Sequence, residues 1–147
     1  MANHFSRSVD VAVSADEAWA LVGDPAGVGS WFGAVAECRM EDDVRIATMR
    51  SGAVLRERIV EHDDEARRYS YTVLEGIPNL ASHLATLNVA PGDGRCTVTW
   101  EQQATSSDPD YDIEARLGEV LQRALDSVRQ RLESEAGTCR SSPDREW

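Results

Sequence analysis

Ser51-Gly52-Ala53-Val54-Leu55-Arg56-Glu57-Arg58-Ile59-Val60-Glu61-His62-Asp63-Asp64-Glu65-Ala66-Arg67-Arg68-Tyr69-Ser70-Tyr71-Thr72-Val73 reads as a strand, an acidic turn and a second strand. Strand side chains alternate between faces, so Leu55, Glu57 and Ile59 share one. If that face points inward, a single carboxylate sits among apolar neighbours. Such a group needs a partner, water or a ligand.

Further strands flank this pair. Phe5, Val9, Val11 and Val13 alternate with polar residues, predicting a first strand over 4–14. Ser14 and Glu17 form a capping box for a short helix that Gly23-Asp24-Pro25 breaks. A second short helix is expected over 27–32, with Trp31 and Phe32 as anchors. The remaining strands are predicted over 35–40, 44–50, 54–61, 68–74, 82–89 and 95–104. Short loops with no helix between them imply an antiparallel meander. Asp108-Pro109 resembles a helix start. From there Ile113, Leu117, Val120, Leu121, Ala124, Leu125, Val128 and Leu132 recur at helical spacing, predicting one long helix that Gly137 ends. The fold class is therefore α+β, a seven-stranded curved antiparallel sheet wrapped around a long C-terminal helix. One domain is expected over 1–136, with a disordered tail over 137–147. A sheet bent round one helix tends to leave a gap between the two layers, an internal cavity.

The chain has 147 residues and a formal net charge of −11. That charge argues against nucleic acid or an anionic membrane as partner. No apolar run is long enough for a membrane span, and the N-terminus lacks a signal-peptide core, so a cytoplasmic location is expected. Cys38, Cys96 and Cys139 lack metal-like spacing and read as reduced thiols. No metal site and no cofactor motif is expected.

Trp19, Gly23-Asp24, Trp31, Val44-Arg45, Gly52, Glu57, Asp63, Arg68, Tyr71, Pro78 and Trp100 together resemble the helix-grip fold of the START-like, or SRPBCC, superfamily. Within it the chain is most similar to bacterial proteins labelled polyketide cyclase/dehydrase, over residues 4–135. The run from Arg56 to Arg68 also resembles plant abscisic-acid receptors. The resemblance implies that Glu57, Tyr71 and His83 point into a ligand cavity. It further implies that the loops at Ser51–Ala53 and Glu75–Asn79 are flaps at its mouth. The second flap lacks the receptors' basic latch, so no hormone-receptor role carries over. The superfold hosts binders, enzymes and chaperone-like proteins alike.

Alternation marks the same face independently. His83, Ala85, Leu87 and Val89 share a face, as do Tyr69, Tyr71 and Val73, and Cys96, Val98 and Trp100. The expected wall is Leu55, Tyr71, Val73, Ala85, Leu87, Val98 and Trp100, faced by Leu117, Leu121 and Leu125 of the helix, with Trp31 near the mouth. Glu57 and His83 would orient the polar end of a small apolar or aromatic ligand. Arg45 is the natural salt-bridge partner for Glu57, but turn length decides whether they share a face. A two-residue turn at Ser51-Gly52 separates them, and one residue more unites them. On the binding reading, Glu57→Ala weakens ligand affinity more than folding. A rival is a polyketide cyclase or dehydrase using Glu57 with His83 or Tyr71 as an acid–base pair. A third reading is a homodimer or stress-response accessory, which a continuous apolar outer face would favour.

Overall fold

The computed structural model describes the backbone of residues 2–145 and the side chains of residues 4–134. The elements run β1 (Ala2–Val11), α1 (Ala15–Val22), a 3-10 helix (Pro25–Ser30), β2 (Val35–Glu41), β3 (Val44–Met49), β4 (Val54–Asp63), β5 (Arg68–Glu75), β6 (Leu80–Pro91), β7 (Cys96–Ser106) and α2 (Ile113–Arg145). The strands form one antiparallel sheet in the order β1-β7-β6-β5-β4-β3-β2. This is the expected meander, with β1 brought round to pair with the last strand.

Local chemistry sets the boundaries. Ser14 accepts the Glu17 backbone N–H at 3.1 Å and donates its hydroxyl to the Glu17 carboxylate, so Ser14 caps α1 as expected, and β1 ends at Val11, short of the expected residue 14. Asp24 caps the 3-10 helix through Ala26 N–H, two residues before the expected start. Asp108 does not cap α2. Its carboxylate closes a turn onto Asp110 N–H, while Asp112 accepts from Ala115 N–H at 3.0 Å and is the true N-cap. Asp112→Ala should cost about 1 kcal/mol in chemical denaturation; an unchanged midpoint would contradict that role. Gly137 does not end α2, which continues to Arg145. One glycine costs a helix only about 1 kcal/mol and does not by itself stop it. The expected tail over 137–147 is thus helical in backbone as far as Arg145; residues 146 and 147 lie outside the described residues, as does the Cys139 side chain.

The concave face of the sheet and the apolar stripe of α2 bury one another. Leu125, Val128, Leu87, Val98 and Val11 are fully buried. Val120 lies at the edge of the stripe and stays exposed, unlike the other predicted stripe positions. Arg7 crosses α2 over Gly118, where a Cβ would lie 2.4 Å from its Nη2. A larger residue at Gly118 would oblige the Arg7 side chain to shift. Among the described residues no helix is long and apolar enough to cross a membrane.

Candidate functional site

The turn between β3 and β4 settles where Arg45 lies. Met49 N–H donates to Ala53 O, and Gly52 adopts φ +96°, so the turn is one residue longer than the tight alternative. Arg45 and Glu57 are therefore direct cross-strand partners on the concave face. Arg45 Nε donates to Glu57 Oε1 at 2.8 Å, and the side chains are only 2% and 8% exposed.

The rest of the guanidinium is held just as closely. Arg45 Nη1 donates to Pro25 O and to Tyr69 Oη, both at 3.1 Å. Its charge lies 4.8 Å from the centre of the Tyr71 ring, within cation–π range. Burial works against this charge, but Tyr69 and then Glu57 outweigh it and keep the guanidinium above its ordinary pKa. Burial, reinforced by Glu57, pushes the Tyr71 phenol well above its usual range, so it stays protonated. Trp100 Nε1 donates to Tyr71 Oη at 3.0 Å. Glu57 Oε2, by contrast, receives no hydrogen bond from any described residue.

His83 sits two strands from Glu57, behind Val73, and the two do not touch. At about 4.8 Å per strand the separation is roughly 10 Å. Both His83 ring nitrogens are engaged. Nδ1 accepts Val73 N–H at 3.2 Å, which places the proton on Nε2, where it is donated to Gln102 Oε1 at 2.7 Å. Burial lowers the His83 pKa, although the Gln102 bond opposes it. The folded protein thus holds this imidazole neutral, whereas the unfolded chain protonates it below about pH 6.5. The stability it contributes is complete above that pH and declines as pH falls below it. The melting temperature should accordingly drop between pH 6.5 and 5, with a shallower drop in His83→Gln; identical profiles would contradict the assignment.

Of the residues expected at the site, Arg45, Glu57, Tyr71, Trp100 and Trp31 form one contiguous buried group. Trp31 meets Trp100 edge-on at 5.6 Å. Ala85 and Val98 are buried beside them, with Leu121 and Leu125 in the same core and Leu55, Val73 and Leu117 half-buried at its margin. Tyr69 and Gln102 were missed as site residues, although alternation marks both. Tyr69 shares a face with Tyr71, and Gln102 follows Cys96, Val98 and Trp100. The Pro25 carbonyl had no sequence signal, because only the path of the 3-10 helix brings it to Arg45.

The expected hollow beside Glu57 is occupied by side chains. Arg45, Tyr69 and Tyr71 project into it from the sheet, and Trp31 and Phe32 project from the end of the 3-10 helix. Recesses open around this filled centre. One of about 420 Å³ has Pro25, Met40 and Ile59 in its wall, with Asp24, Asp42 and Asp43 around them. Those first three are immediate neighbours of the ion pair: Met40 pairs with Arg45 across β2–β3, and Ile59 follows Glu57 on the same face. A second recess, about 290 Å³, lies between Phe32–Ala34 and the Val120–Ser127 stretch of α2. A third of about 370 Å³ is walled by Glu37, Arg39, Ile46 and Thr48. Among the described residues no group of three His, Cys, Asp or Glu side chains could hold a metal ion.

Solved structures share this architecture. A protein from Thermobifida fusca is 29% identical with a TM-score of 0.78, the match covering 88% of this chain and 92% of that one. A START superfamily protein from Mycobacterium smegmatis is 16% identical, TM-score 0.72, covering 89% and 97%. Norcoclaurine synthase from Thalictrum flavum, solved in complex with dopamine and hydroxybenzaldehyde, is 18% identical, TM-score 0.71, covering 91% and 88%. No curated protein matches the chain. The START-like helix-grip fold expected from the sequence is thereby established, and with a family match running over residues 2–133 the chain belongs to the family described as polyketide cyclase/dehydrase and lipid transport.

Proposed function

We propose that the protein binds a small apolar or aromatic molecule between the concave sheet face and α2, with Glu57 as its polar anchor. One observation carries this reading. Glu57 is a nearly buried carboxylate whose Oε1 is neutralised by Arg45 and whose Oε2 accepts no hydrogen bond from the described residues yet stays within reach of solvent. An oxygen still reachable by solvent in a largely apolar, aromatic surround can exchange water for a ligand hydroxyl. A ligand hydroxyl donating to Oε2 would complete the set. The aromatic neighbours Tyr71, Trp100 and Trp31 would supply flat apolar contact. Binding requires the Trp31–Phe32 corner to yield space, and the recess beside Phe32 gives it room to move.

The acid–base reading has less support, because His83 spends both nitrogens on Val73 and Gln102. Family membership bears on ligand binding and on cyclase chemistry equally. The test is a 15N-resolved NMR titration with 2-naphthol, a flat ring bearing one hydroxyl. Amide shifts are expected to concentrate at Leu55, Tyr71, Ala85 and Val98. Shifts confined to Glu37, Arg39 and Thr48, or no saturable shifts at all, would refute the proposal.

A further inference from the structure

Trp31 Nε1 is the one fully buried side-chain nitrogen or oxygen among the described residues that lacks a hydrogen-bond partner. Leaving such a donor unpaired costs about 1–3 kcal/mol, and an orphan of this kind in a folded protein calls for an explanation. The Trp31 ring is 4% exposed. It stacks on Phe32 at 6.1 Å and meets Trp100 at 5.6 Å. Neither neighbour offers an acceptor oxygen. Trp100 spends its own N–H on Tyr71 Oη, so the two indoles differ sharply in their state of satisfaction.

A continuous row follows from these contacts. Trp31 touches Trp100, Trp100 bonds Tyr71, the Tyr71 ring lies against Arg45, and Arg45 holds Glu57. One end of the row presents a buried, unused donor and the other a carboxylate oxygen open to water or a ligand, with aromatic faces between. From this we infer that Trp31 Nε1–H is a specificity-determining hydrogen-bond donor for a carbonyl oxygen on the ligand. The inference rests on the binding reading above. A carbonyl suits the position better than a hydroxyl, because a hydroxyl would bring a proton that Phe32 and Trp100 cannot accept. The ligand class is therefore a flat aromatic molecule with a hydroxyl toward Glu57 and a carbonyl at the far end, toward Trp31.

Two probes of nearly equal shape separate the possibilities. 6-Acetyl-2-naphthol carries the carbonyl, and 6-isopropenyl-2-naphthol replaces it by a carbon–carbon double bond. Affinities of the wild-type protein and of Trp31→Phe are measured by calorimetry, and the indole N–H resonances are followed by NMR. Trp31→Phe keeps a ring but removes the donor, and its melting temperature reports whether the core survives. The wild type is expected to bind the acetyl probe about tenfold more tightly than the isopropenyl probe, one hydrogen bond's worth. Trp31→Phe should abolish that preference, weakening the acetyl probe about tenfold more than the isopropenyl probe, whatever both lose with the smaller ring. The indole resonance missing from Trp31→Phe should move on addition of the acetyl probe alone. If the wild type binds both probes with one affinity, or Trp31→Phe keeps the wild type's preference, the binding reading stands and the role given to Trp31 is wrong; a water on the indole would give that result. If neither probe binds the folded wild type, the binding reading fails and this inference fails with it.

Discussion

Glu57→Ala is expected to destabilise the protein by about 3–5 kcal/mol, because it strands Arg45 as a buried charge without its counter-ion. Arg45 is only 2% exposed and is held by its bonds to Pro25 and Tyr69. The sequence alone suggested the reverse balance, with folding little affected and ligand affinity lost. Pairing with Arg45 changes that, and makes the single variant a poor test of binding. Replacing both partners, as in Arg45→Met with Glu57→Met, removes both charges and keeps volume. Such replacements are often neutral or stabilising by about 1–4 kcal/mol. Urea denaturation checks both variants. A double variant less stable than Glu57→Ala would contradict this account of the pair.

Gly76→Ala is the second large effect, at about 2–6 kcal/mol. Gly76 has φ +113°, a backbone state that costs an L-residue about 1–3 kcal/mol. An added Cβ would also lie 2.4 Å from Val54 O and 2.7 Å from Leu55 Cδ2. Overpacking of that kind typically adds about 1–3 kcal/mol, and a backbone oxygen yields less readily than a side chain. The β5–β6 loop is therefore seated on the start of β4, directly over Leu55. In the variant it should lift, and hydrogen exchange should quicken at Val54, Leu55 and residues 75–79 while β6 and β7 stay protected. Unchanged stability and exchange would show that the loop does not rest there.

Much of this architecture is legible in the sequence for a simple reason. The strands alternate cleanly, α2 keeps its helical period, and both kinds of pattern record burial directly. The inward orientation of Glu57, Tyr71, His83 and Trp100 follows from the same alternation. What could not be read was set by turn length and by chain path. The parity of the Met49–Ala53 turn decides the Arg45–Glu57 pairing, and both parities fit the residues Ser51-Gly52. The engagement of His83 by Gln102 depends on β6–β7 register, in which Gln102 faces Ala85, next to His83 on that face. The start of α2 went astray because Asp108 and Asp112 are both plausible caps and only packing chooses between them. The space between sheet and helix was invisible for a related reason. Curvature predicts a gap, but whether Arg45, two tyrosines and the Trp31–Phe32 corner fill it depends on their rotamers.

On the proposed function, the Glu57 carboxylate anchors a ligand from inside the fold. The most direct test is the affinity of 2-naphthol for the wild type against the Arg45→Met/Glu57→Met double variant, with both shown to be folded by their melting transitions. A loss of about 10- to 100-fold is expected in the double variant, the worth of one hydrogen bond to a charged oxygen. Equal affinity in the two folded proteins would contradict it.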